Sequence, residues 1–106
     1  MNTYLTVSVK TSANNAIKLA YDAILAFDNV KDSYLEENIY TVYANIKYKR
    51  HNTLSLITVH EANDNSCIMT ITANIIENIG VGFMQKTHEF AAEFLKRFSA
   101  LLKQEC

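Results

Sequence analysis

The sequence predicts an α+β fold: a four- or five-stranded, largely antiparallel sheet with two helices packed on one face, in the order β-α-β-β-β(-β)-α. Three observations carry this reading. In the last quarter, from about 83 to 102, Phe83, Phe90, Phe94 and Phe98 join Thr87, Ala91, Leu101 and Leu102 at spacings of three and four, one stripe of a long amphipathic helix. Residues 13–27 repeat that period with smaller side chains. The middle of the chain alternates apolar and polar residues and is broken by Asn, Asp and Glu, the pattern of strands joined by short turns. An apolar stripe needs a flat apolar surface to receive it, and a meander of adjacent strands supplies one.

Taken in order, residues 3–10 form a half-buried strand with Leu5, Val7 and Val9 on the core side. Thr11 or Ser12 offers a helix N-cap. The helix runs to about Phe27, with Ala13, Ala16, Ile17, Ala20, Ile24 and Phe27 facing inward. Its alanines allow close approach to a neighbour, so this is the thin helix and the C-terminal one the bulky helix. Residues 28–32 break it. A short strand from Val30 to Leu35 follows, with Glu36-Glu37-Asn38 as its turn; the alternative is one long bulged strand from Tyr34 onward.

In residues 39–48, Tyr40, Val42, Ala44, Ile46 and Tyr48 share one face, and Thr41, Tyr43, Asn45 and Lys47 the other. Residues 49–52 read as a hairpin tip. Residues 53–61 are apolar on both faces, through Leu54 and Leu56, then Ile57 and Val59. Such a strand is central, or buries its second face against a partner. Asn63-Asp64-Asn65 is a turn signal. In residues 66–76, Cys67, Met69, Ile71, Ala73 and Ile75 oppose Ile68, Thr70, Thr72 and Asn74. Residues 77–82 lead into the final helix.

This order, closing on a C-terminal helix laid across a curved sheet, resembles the helix-grip and related β-α-β-meander-α layouts. The run from Ile17 through Ala44 to Ile71 also resembles small bacterial α+β proteins with an Ala-rich helix, an isolated Ala in the next long strand and two alternating strands. The resemblance implies a fold and a bacterial source, and it assigns no catalytic residue.

At 106 residues the chain is one domain, spanning 1–106. A formal net charge of -1 gives no global attraction to nucleic acid or an anionic membrane. No apolar run approaches the ~20 residues of a membrane span. The first ten residues lack the basic start, apolar block and cleavage site of a signal peptide. A chain that starts natively at Met1 is expected to be cytoplasmic; one whose export signal had been replaced by Met would look the same. Cys67 and Cys106 share no metal or redox spacing, and Cys67 reads as a small buried hydrophobe.

The candidate chemistry is sparse. His88-Glu89 begins like a zinc-protease helix, but Ala92 stands where the second His is required. His51, His60 and His88 are far apart and would meet only through the fold. Gly80 and Gly82, before Phe83, suit a sharp turn into the helix; an anion site or a gate beside a cavity are the other readings. Lys47-Tyr48-Lys49-Arg50-His51 is the one basic cluster, read as a solvated hairpin tip rather than a nucleic-acid footprint. Tyr4, Tyr34, Tyr40, Tyr43 and Tyr48 lie in or beside strands, and some of them must face away from the helices.

No catalytic, metal or cofactor motif emerges, and the sequence does not state what the protein does. The expectation is a non-enzymatic binding or assembly module, homodimeric through a sheet face or edge, with Tyr43, Ile57, Val59 and Ile68 as its interface. A partner protein is another occupant of that face. The rival expectation is a carrier of an apolar ligand held between sheet and C-terminal helix, entered past Gly80, Gly82 and Phe83.

Overall fold

A computed structural model of the chain describes residues 2–75 and 83–104. The elements are β1 (Asn2–Val9), α1 (Ala13–Leu25), β2 (Val30–Glu36), β3 (Thr41–Tyr48), β4 (His51–Asn63), β5 (Ser66–Ile75) and α2 (Phe83–Gln104), with a 3-10 turn at Glu37–Ile39. The sheet has five strands in the order β1-β5-β4-β3-β2, every neighbour antiparallel. This is the α+β fold expected, with five strands rather than four.

The topology explains α1. β1 and β2 occupy opposite edges, so the segment between them must cross the whole sheet. Five strands span about 19 Å, and a helix of 13 residues is about 20 Å long. α1 makes this crossing and lies against β2, β3, β4, β5 and α2. Ala13, Ala16, Ala20 and Ala23 are wholly buried, which lets its backbone settle close to the strands. Ser12 caps its start, accepting from the Asn15 amide at 3.2 Å, and Thr11 Oγ1 accepts from Asn15 Nδ2 at 2.9 Å.

α2 covers β1 and β5 and leans on α1. Phe90 and Phe94 are fully buried, and Phe98 nearly so. Phe90 packs against Phe27 and Tyr48, with ring centroids 5.1 and 5.5 Å apart. Arg97 ties the helices together. Its guanidinium donates to the Ala26 carbonyl at 2.8 Å, to Glu93 at 3.0 Å, and lies 4.6 Å above the Phe27 ring. Glu93 pairs along the helix as its spacing suggests, whereas Glu89 reaches across to Lys49 on the β3–β4 turn at 3.3 Å.

β2 is the separate short strand that the spacing predicts, extended by one residue to Glu36, with an irregularity between Val30 and Asp32. The sequence reading differs from the structure at two turns. β3 begins at Thr41, because the chain first makes the 3-10 turn and then takes Tyr40 through a left-handed φ of 49°. The β3–β4 tip is only Lys49 and Arg50, both at positive φ, as a tight two-residue hairpin turn requires. Cys67 is buried in β5, and its burial raises its thiol pKa above the ordinary value. Cys106 lies outside the described residues.

Candidate functional site

Strand pairing sorts the sheet residues into rows on two faces. One face lies under the helices, where Leu35, Val42, Ile57 and Ile71 align across four strands. Next to them runs a row of small residues, Ser33, Ala44, Ser55 and Ala73. The opposite face carries no helix among the described residues. Its rows are Tyr34–Tyr43–Leu56–Thr72 and Asp32–Asn45–Leu54–Asn74.

This open face is unusually apolar for a surface. Tyr34, Tyr43, Leu54, Leu56 and Ile68 are all among the exposed large side chains of the described residues, from 36% to 56% exposed. The two rows wall a groove of about 410 Å³, which Ser33, Ala44 and Ser55 also line. Tyr34 and Tyr43 stand side by side on one wall, ring centroids 6.4 Å apart. On the other, Asn45 Oδ1 is sealed from solvent without a hydrogen-bond partner among the described residues.

The ends of the face are polar and differ in net sign, the hairpin end carrying Asp32 beside its lysines. Lys31 and Lys47 lie at the hairpin end, where Lys31 Nζ donates to Asn52 Oδ1 at 2.7 Å. Glu36 lies at the other end, and the Tyr34 hydroxyl donates to its carboxylate. That hydrogen bond holds the Tyr34 hydroxyl above the usual phenol range.

Of the four residues expected at an interface, the structure places Tyr43 and Ile68 on the open face. Ile57 and Val59 fall on the other, 0% and 3% exposed beneath the helices. The reason is register: Val42 pairs with Ile57 and Tyr43 with Leu56, so β4 alternates without a break across this stretch. Leu54 and Leu56 are therefore the open-face residues of β4, joined by Tyr34 of β2. Their signal was the inward set of β3, Val42, Ala44 and Ile46, whose partners on β4 are Ile57, Ser55 and Thr53. Gly80 and Gly82 lie outside the described residues, and Phe83 is the first residue of α2.

Other clusters hold less. Among the described residues no group of three His, Cys, Asp or Glu comes together as a metal site needs. His51 opens β4 at the hairpin, His60 is exposed farther along β4, and His88 is exposed early on α2. Tyr48 and Lys49 of the basic cluster are engaged with Phe90 and Glu89. On the helix-covered face Ser55 is 5% exposed, and its Oγ has no partner among the described residues. No described helix is long and apolar enough to cross a membrane.

No family model matches the sequence, and no curated protein matches it. Solved structures do share the fold. A START superfamily protein from Mycobacterium smegmatis superposes with a TM-score of 0.67 at 10% identity, over 99% of each chain. A conserved protein from Geobacillus kaustophilus gives 0.57 at 12% identity, over 98% of this chain and 96% of that one. Norcoclaurine synthase from Thalictrum flavum, solved with dopamine and hydroxybenzaldehyde, gives 0.59 at 8% identity, over 100% and 88%. At these identities the likeness concerns the fold alone, an antiparallel sheet with an N-terminal and a C-terminal helix.

Proposed function

We propose that the protein is a non-enzymatic binding module that works as a homodimer, its copies meeting through the open face of the sheet. The observation that supports this is the contiguous apolar surface of Tyr34, Tyr43, Leu54 and Leu56 around the groove, with Ile68 beyond it. Patches of this kind on a soluble domain mark places where something binds, and tyrosine suits such contacts because its ring is apolar and its hydroxyl polar. The test is sedimentation equilibrium of the wild type beside Tyr43→Glu. The wild type is expected as a dimer and the variant as a folded monomer. A wild type that stays monomeric at about 100 µM would overturn the reading.

A second reading has its own support. A carrier would hold a small apolar ligand between the sheet and the helices, against the row Ser33, Ala44, Ser55 and Ala73. The partnerless Ser55 hydroxyl favours it, since a buried hydroxyl normally has a partner. So does the START-like fold, in which norcoclaurine synthase was solved with two small molecules. Ser55→Val separates the two readings. A carrier loses affinity for an apolar fluorescent probe on this change; a dimer that has no cavity binds no probe in either form.

A further inference from the structure

We infer that the two copies stack face to face with their strands antiparallel, so that the lysine end of one open face lies on the Glu36 end of the other. This rests on the self-association reading and adds an orientation and a charge code to it.

Edge pairing through β2 is the less favoured route. This edge strand is short, irregular between Val30 and Asp32, and carries Lys31, Asp32 and Glu36, features that blunt an edge against a further strand. The face is large enough. Five strands about 4.8 Å apart, over eight residues, make a footprint of about 500 Å² per copy. Two such footprints total about 1,000 Å², the lower bound for a specific interface.

Orientation follows from the rows. A two-fold axis lying across the strands, level with Ala44, places each copy's β2 over the partner's β2 with its direction reversed. The Tyr34–Tyr43–Leu56 row of one copy then meets the Asp32–Asn45–Leu54 row of the other, twice by symmetry. Leu54 faces Leu56, and a tyrosine hydroxyl comes over Asn45, whose Oδ1 lacks a donor among the described residues of its own chain. At the ends, Lys31 of each copy comes over Glu36 of the other, and Lys47 over Thr41, one strand or about 4.8 Å to the side of that Glu36. An axis parallel to the strands places these lysines over the Asn74 end of the partner instead, and matches no charges among the described residues. Within one chain Lys47 and Glu36 sit about six residues apart along the strand direction, roughly 20 Å, so they do not pair with each other.

The experiment uses charge reversal, read by sedimentation equilibrium and by native mass spectrometry of mixtures. Lys47→Glu and Glu36→Lys should each weaken self-association about tenfold. The double variant carrying both changes should recover to within about threefold of the wild type. Mixing the two single variants should give mainly the mixed dimer, because a Lys47→Glu chain then meets a Glu36→Lys chain with opposite charges at both ends. A stable wild-type dimer whose single variants show neither rescue nor preferential mixing would overturn the antiparallel arrangement and leave self-association standing. A wild type that never dimerises would overturn both.

Discussion

Leu56 and Ile57 are neighbours in β4, yet Ile57 is sealed under the helices while Leu56 is 36% exposed on the far side of the sheet. The same contrast holds across β3, where Val42 is buried and Tyr43 is 46% exposed. One face is closed by phenylalanines from α2 and alanines from α1. The other is closed by nothing within the described chain, although it carries leucine and tyrosine. A side chain's chemistry thus says little about its role until its parity in the strand is known. Parity decides whether an apolar residue holds the fold together or offers a surface to a partner.

Adjacent substitutions break this comparison most sharply. Ile57→Lys forces an unpaired charge into the core and should cost more than about 4 kcal/mol, enough to unfold a domain of this size. Leu56→Lys should keep the native circular dichroism spectrum and melting transition while abolishing self-association. Equal stability of the two variants in urea titration would mean that the faces are not as different as described.

Phe94→Ala, which empties a fully buried site, should cost about 3–5 kcal/mol by the same titration. Arg97→Ala should cost about 1–2 kcal/mol, since it removes the bond to the end of α1 and the contact with Phe27. Arg97→Lys should not restore this, because an ammonium lacks the planar fork. Two smaller changes of opposite sign test the local backbone. Ser12→Ala should destabilise by about 1 kcal/mol through loss of the cap. Arg50→Gly should stabilise by up to about 1 kcal/mol, because the hairpin tip holds Arg50 at a φ of 73°.

The smallest effect is a pH dependence. Burial raises the Cys67 thiol pKa in the folded chain, whereas the unfolded thiol titrates at about 8.5. Its contribution to stability is therefore whole below pH 8.5 or so, and is lost as pH rises through the folded value. Urea midpoints of the wild type should fall more steeply above that pH than those of Cys67→Ala. Parallel curves would remove the effect.

Much of the fold was legible because its periodicities are strong. The inward stripe of α1, from Ala13 to Phe27, and the alternation of β5, from Cys67 to Ala73, are as the spacing predicts. The turns were less legible. Tyr40, Lys49 and Arg50 take left-handed conformations without the glycine or asparagine that usually marks them. The open face was half legible. Tyr43 and Ile68 follow from clean alternation, but β4 is apolar at 54, 56, 57 and 59, so composition alone leaves its parity open. Only the pairing of Val42 with Ile57 fixes it, and pairing is a property of two strands rather than one. The partnerless Asn45 and Ser55 had no sequence signal, because the lack of a partner depends on every neighbour at once.

The most direct test of the central claim is sedimentation equilibrium of three proteins at about 100 µM, a concentration that fills any dimer of micromolar affinity. The wild type should give twice the chain mass, Leu56→Lys the mass of one folded chain, and the helix-side change Ser55→Ala the wild-type dimer. A wild type at the mass of one chain, or a Leu56→Lys variant that remains dimeric, would contradict the assignment of the open face as the binding surface.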